Sequence, residues 1–131
     1  MANTIIKEVY SKEETYDLAF SIGENISKPL LICLDGDLGV GKTVFAKGLA
    51  KGMGIEEDIV SPTFVLFNVY EDGKLPLYHF DVYRIEEPEE MYEIGYEEYF
   101  YGEGVCIVEW ADIVEEIIPE DAKVIFIEYG E

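Results

Sequence analysis

The chain has 131 residues, 49 per cent of them hydrophobic, which suffices for one domain over residues 1–131 and excludes an intrinsically disordered chain. It carries 29 acidic residues against 9 basic ones, a formal charge of −20, and Lys7, Lys12, Lys28, Lys47, Lys51, Lys74 and Lys123 are scattered along it. Such a surface repels nucleic-acid phosphates and anionic lipid, so direct binding to either is disfavoured; a basic protein partner, or solubility alone, accounts for the charge.

In chain order, Thr4 to Tyr10 reads as a first strand. Ser11-Lys12-Glu13-Glu14 is a capping box opening a helix that carries Tyr16, Leu18, Ala19 and Ile22 and is predicted to end near Gly23. Leu30 to Asp35 is a short apolar run of the kind a buried parallel strand requires. A glycine loop follows, and then a helix with Phe45, Leu49 and Met53 on one stripe and Gly52 and Gly54 as stops. Ser61-Pro62-Thr63-Phe64 begins an extended stretch through Tyr70, and Asp72-Gly73 is a hairpin-turn signal before a strand from Leu77 to Tyr83. Glu86 to Ile94 reads as helical, with Pro88 in its first turn and Gly95 after its end; Glu97 to Tyr101 is a second short helical piece. Val105 to Glu109 is another buried strand, Ala111 to Ile118 a helical segment with Pro119 beyond it, and Val124 to Tyr129 the last strand. Alternating strands and helices with one hairpin predict an α/β three-layer sandwich around a mixed, mainly parallel sheet.

No apolar run approaches the length of a membrane span, and the N-terminus lacks a basic region followed by an apolar stretch, so a cytoplasmic location is expected. Cys33 and Cys106 each sit in a strand-like run and read as buried free thiols; with the single His79 they offer no zinc spacing.

The loop Gly36-Asp37-Leu38-Gly39-Val40-Gly41-Lys42-Thr43 matches G-x-x-x-x-G-K-[ST], the P-loop pattern of nucleotide-binding proteins. Its glycines let successive N–H groups of Asp37, Leu38, Gly39, Val40 and Gly41 converge on an anion. Lys42 is expected to reach the β- and γ-phosphates of a nucleotide and the Thr43 hydroxyl to ligate Mg²⁺, with the positive end of the following helix aimed at the same phosphates. The strand, loop and helix occur in the order this chemistry needs.

His79-Phe80-Asp81-Val82-Tyr83-Arg84 holds the chain's single histidine and its single arginine. Alternation along a strand places His79, Asp81 and Tyr83 on one face. Asp81, after an apolar run, suits a Mg²⁺-binding carboxylate of Walker-B type; the alternative is a solvated edge-strand face. Arg84 suits phosphate contact and carboxylate pairing equally. Ser61 and Thr63 offer hydroxyls for sensing Mg²⁺ or a γ-phosphate. Glu109, at a strand's carboxyl end, is placed to orient a water or a metal-bound water, and Trp110 reads as a core or rim aromatic ahead of a nucleotide contact. The acidic and aromatic stretch from Glu86 through Tyr101 reads first as a solvated face and second as a docking surface.

Taken together, the P-loop, Ser61-Pro62-Thr63-Phe64, His79-Phe80-Asp81-Val82-Tyr83-Arg84, Ile94-Gly95, Glu98-Tyr99-Phe100 and Val108-Glu109-Trp110 resemble, in order and spacing, the bacterial TsaE (YjeE) family of tRNA threonylcarbamoyladenosine biosynthesis. In that family the Trp is often followed by Pro and an acidic residue, where this chain has Ala111 and Asp112, and many members continue with one more strand beyond the equivalent of Tyr129. The resemblance implies a P-loop NTPase-like fold and an ATPase using ATP and Mg²⁺. It implies work with the partner proteins TsaD and TsaB, which install threonylcarbamoyl on adenosine 37 of tRNA, so that tRNA is met only through partners. Carried over, Lys42 and Thr43 bind phosphate and Mg²⁺, Thr63 and Asp81 lie near the metal, and Glu109 is a catalytic or metal-shell carboxylate. A small-molecule kinase is the runner-up, disfavoured because one arginine is too few cations for a migrating phosphoryl group. A GTPase lacks support, since no Asn-Lys-x-Asp sequence is present. A nucleotide-dependent binding module without turnover is the third alternative.

Overall fold

The computed structural model describes residues 3–9, 11–36, 42–59, 67–83, 85–87 and 89–129, so that Tyr10, placed in the first strand by the sequence, lies outside them. Asp37, Leu38, Gly39, Val40 and Gly41 of the glycine loop, Ser61-Pro62-Thr63-Phe64, Arg84 and Pro88 lie outside the described residues. The elements are β1 (Asn3–Val9), α1 (Lys12–Asn25), β2 (Leu30–Gly36), α2 (Lys42–Gly52), β3 (Phe67–Tyr70), β4 (Leu77–Asp81), α3 (Glu89–Glu93), α4 (Glu97–Phe100), β5 (Val105–Glu109), a 3-10 segment (Ala111–Ile117) and β6 (Lys123–Tyr129).

The strands form one six-stranded sheet in the order β1-β6-β2-β5-β4-β3. All neighbours are parallel except β3 and β4, which pair antiparallel, so the mixed, mainly parallel sheet is as predicted. The central strands β2 and β5 are apolar on both faces because helices cover both. Alternation sends Ile32, Leu34, Ile107, Leu77 and Ile125 to one core, where Phe45, Leu49 and Met53 of α2 meet them. It sends Leu31, Cys33, Cys106, Val108 and Phe80 to the other, with Met91, Phe100, Val114 and Ile117. Each large side chain so buried contributes about 1.5–3 kcal/mol. Among the described residues, no helix is long and apolar enough to cross a membrane.

The Ser11 hydroxyl accepts from the Glu14 N–H at 3.2 Å, as the capping-box pattern foretells. Helix α1 does not stop near Gly23 but runs on to Asn25. Gly23 is instead a point of contact: a Cβ there would run into the Leu49 carbonyl and the Gly52 Cα, so the two helices cross backbone to backbone. Helix α2 stops as expected. Gly54 adopts φ +87, its N–H bonds the Lys51 carbonyl and the Ile55 N–H bonds the Ala50 carbonyl, both at 3.0 Å, which is a Schellman closure.

Asp72-Gly73 lies in a loop over residues 71–76 rather than in a two-residue turn. The reason is tertiary. Asp72 Oδ2 accepts from the Glu56 and Glu57 N–H groups at 3.0 and 3.3 Å, and Lys74 Nζ donates to the Glu24 carbonyl at 2.8 Å, so the loop is moored to the ends of α1 and α2. Helix α3 is shorter than predicted because Glu90 Oε2 accepts from the Glu86 and Glu87 N–H groups at 2.8 and 3.1 Å, holding them in a preceding turn. Both cysteines are buried and outside any disulfide; burial pushes the Cys106 thiol up to about 12, and its S–H donates to the Tyr99 carbonyl at 3.1 Å.

The helix crossing yields a first prediction. A methyl group at Gly52 meets the Phe20 carbonyl, the Glu24 nitrogen and the Gly23 Cα. Gly52→Ala is expected to destabilise the protein by about 1–3 kcal/mol despite the better helix propensity of alanine. Urea unfolding measures it, and a variant as stable as the parent refutes the close approach.

Candidate functional site

Strands β4 and β5 finish level with one another, and β2 runs two residues further, to Gly36. In the parallel register Glu109 of β5 stands between Leu34 of β2 and Asp81 of β4, so their carboxyl ends form one rim of the sheet. Open α/β sheets bind ligands at such a rim. The alternation that places Leu77 and Ile107 on the α2 side also places His79, Asp81 and Glu109 there. Helix α2 begins with Lys42 and Thr43, reached from the end of β2 across residues 37–41.

His79 is fully buried, and its Nε2 lies 2.5 Å from Glu109 Oε2; Glu109 is only 5 per cent exposed. The alternative of a solvated edge face is therefore wrong for this segment: β4 lies inside the sheet, and β3 is the edge. His79 and Asp81 share a face as predicted, but Tyr83 does not join them. The strand ends at Asp81, whose Oδ1 accepts from the Tyr83 N–H at 3.1 Å and turns the chain outward. Tyr83 is 61 per cent exposed and packs its ring against Trp110 with centroids 4.8 Å apart.

Trp110 follows β5 in the left-handed region at φ +64, an uncommon conformation for a bulky residue that turns the chain sharply behind Glu109. Its ring lies under Lys42, with Nζ 3.9 Å from the ring centroid. Lys42 is buried, and its Nζ has no hydrogen-bond partner among the described residues. A cation–π contact stabilises an ammonium by about 2 kcal/mol when desolvated, well short of the cost of burying a charge, so an anion with acceptor oxygens would complete this environment.

Burial raises the Asp81 pKa above the ordinary carboxylate value. The Tyr83 N–H opposes that rise, the neighbouring Glu109 adds to it, and His79 and Lys42 oppose it. The site thus gathers two acids, one histidine and one lysine from α2, β4 and β5. Among the described residues no group of three or more His, Cys, Asp and Glu stands in metal-holding geometry. Mg²⁺ does not demand one: it takes one or two carboxylates and completes its shell with water and phosphate oxygens. Asp81, Glu109 and the Thr43 hydroxyl carry the oxygens such an ion prefers, and Asp81 lies near both Glu109 and Lys42.

Sequence reasoning brought Lys42, Asp81 and Glu109 to one site but missed two contacts. The His79–Glu109 pair joins residues 30 apart in the chain, and no local pattern signals it. The placement of Trp110 beneath Lys42 depends on a backbone conformation that spacing does not reveal. A separate cleft of about 500 Å³, lined by Tyr16, Lys47, Lys51, Glu56, Glu57 and Asp58 among others, includes none of these site residues.

Asp81 gives a prediction with a definite sign. A carboxyl whose pKa is raised by folding binds its proton more tightly in the native state, so its contribution to stability is full in acid and is lost as pH rises through the folded pKa. Asp81→Asn retains the acceptor for the Tyr83 N–H and removes the desolvated charge. The variant is expected to melt no lower than the parent near pH 7–8, with any gain vanishing as pH falls below the ordinary carboxylate range of about 4. Thermal unfolding against pH measures this; a clear loss at neutral pH contradicts it.

The family model described as "Threonylcarbamoyl adenosine biosynthesis protein TsaE" matches residues 9–131. The chain is 53% identical over 91 residues to the tRNA threonylcarbamoyladenosine biosynthesis protein TsaE of Bacillus subtilis, covering 70% of this chain and 56% of that one, so the match spans a little over half of that relative's length. It is 44% identical over 110 residues to the protein of that name from Treponema pallidum, covering 84% of this chain and 81% of the relative. The crystal structure of Bacillus subtilis YdiB superposes with a TM-score of 0.74 at 39% identity, covering 94% of this chain and 76% of that one. Sequence and P-loop NTPase-like α/β architecture agree, and the chain belongs to the TsaE family of threonylcarbamoyl adenosine biosynthesis proteins.

Proposed function

We propose that this chain is a Mg-ATP-hydrolysing component of threonylcarbamoyladenosine formation on tRNA, acting in the cytoplasm through the partner proteins TsaD and TsaB rather than on tRNA itself. The observation that carries the reading is the buried Lys42 ammonium, without a hydrogen-bond partner among the described residues, at a strand-end rim that also holds Asp81 and Glu109. Family membership supports the pathway, and the P-loop sequence from Gly36 to Thr43 supports the nucleotide.

In this reading the N–H groups of Asp37, Leu38, Gly39, Val40 and Gly41 wrap the phosphates, and Lys42 moves from the Trp110 face to the β- and γ-phosphates. Mg²⁺, held by Thr43 and Asp81 with Glu109 and Thr63 nearby, would neutralise charge on the phosphate oxygens. Glu109 orients a water and takes up a proton as the water oxygen bonds the γ-phosphorus. The bond from that phosphorus to the bridging oxygen breaks, giving ADP and inorganic phosphate. Low intrinsic turnover that rises with partners is expected. The −20 charge supports protein docking over direct tRNA binding, since each phosphate contact needs a cation.

Mg-ATP is expected to raise the melting temperature, with a stabilisation of about 2.7 kcal/mol at 100 times the dissociation constant, and Lys42→Ala to abolish most of the shift. An undiminished shift in the variant removes the P-loop from the argument. In a reconstituted reaction, sustained modification of tRNA by the partner proteins should require this chain and ATP, and should fail with Lys42→Ala. Equal multi-turnover rates without the chain overturn the role, and sub-micromolar tRNA binding by the isolated chain at low salt overturns the indirect encounter.

A further inference from the structure

Within the site, His79 has no part in the chemistry just described, yet its burial is complete. An imidazole in a core costs free energy unless its polar atoms are bonded, and an apolar side chain would fill the same space without that cost. His79 puts Nε2 2.5 Å from Glu109 Oε2 and leaves Nδ1 without a partner among the described residues. Among the described residues its one hydrogen bond is therefore with Glu109.

The register explains what the contact achieves. Glu109 stands directly across from Asp81, and His79 lies two residues earlier on the same strand and the same face. Left to itself, the flexible Glu109 side chain has several rotamers, some turned toward Asp81, whose charge it repels. Bonded to His79, it leans back along the diagonal toward the strand interior. One oxygen, Oε2, is then committed to His79. A single strand thus supplies one carboxylate of the site and aims the other.

We propose that His79 is a positioning residue, whose Nε2–H donates to Glu109 and fixes the carboxylate orientation in which Glu109 directs the attacking water. The inference rests on the Mg-ATP hydrolysis proposed above, in which Glu109 has that task. Positioning by a hydrogen bond behind an acting group typically governs about 10–100-fold in activity. Its effect belongs to turnover, because His79 is hydrogen-bonded to Glu109 and not to Lys42.

The test uses the full chain with its partner proteins and two substitutions. His79→Met keeps bulk and removes the donor; His79→Gln keeps an N–H at comparable reach. The Met variant is expected to lose about 10–100-fold in kcat with KM for Mg-ATP and the nucleotide-induced thermal shift within about twofold of the parent, and Gln to restore most of the loss. A second readout needs no turnover. The chain has one histidine, so the long-range ¹H–¹⁵N spectrum of the nucleotide-free protein contains a single imidazole pattern. Nε2 is expected to carry a proton, shifted downfield, that moves upfield in Glu109→Gln because an amide oxygen is the weaker acceptor. A Met variant with parental kcat overturns the proposal, as does a folded Gln variant no better than Met. If neither variant folds, the imidazole decides: an unprotonated Nε2, or a resonance indifferent to Glu109→Gln, overturns it. Absence of ATP turnover by the parent with its partners refutes the hydrolytic function, and with it this role, before any variant is measured.

Discussion

The parallel pairing of β2, β5 and β4 is the constraint on which the site depends. Because the pairing is parallel, the carboxyl ends of the strands face the same way, and the observed register brings Leu34, Glu109 and Asp81 to one level. A slip of one residue in β4 against β5 would send His79 and Asp81 to the opposite face, among Phe80's partners in the second core. That slip is resisted by the buried side chains themselves: Leu77, Phe80 and Val82 are all fully buried in register. Stability of the sheet and geometry of the rim therefore have the same origin.

The rim is not an electrostatic minimum in the protein alone. Asp81 is held where burial disfavours its charge, Glu109 stands beside it, and Lys42 rests on an aromatic face without an acceptor among the described residues. Trp110 keeps a left-handed backbone to provide that face. Each feature costs some stability in isolation. A phosphate with its divalent cation has the charges that would relieve the acids and the lysine together, which is why the proposed ligand is a metal–nucleotide rather than either alone.

Acidic side chains crowd α3, α4 and their approaches, where Glu86, Glu87, Glu89, Glu93, Glu97 and Glu98 are exposed and Tyr92 and Tyr101 are also largely exposed. Charge of one sign over such a face repels tRNA and raises encounter rates with oppositely charged protein surfaces. Lys42 stands apart from this surface charge: it is buried, with its Nζ over the Trp110 ring.

Sequence alone determined the alternation of strands and helices, the Ser11 cap, the Gly54 stop, the central strands β2 and β5, and the family, because each is written in short-range patterns whose physics is local. It also singled out Lys42, Asp81 and Glu109 by chemical type and position. Tertiary structure alone decided that Gly23 is a helix contact and not a stop, that Asp72 moors a loop to the segment after α2, that Tyr83 leaves the strand, and that His79 meets Glu109. Those outcomes depend on which backbone lies across the gap. A glycine reads the same whether it ends a helix or admits a neighbour, and a buried histidine finds its partner only when parallel strands bring together residues far apart in the chain.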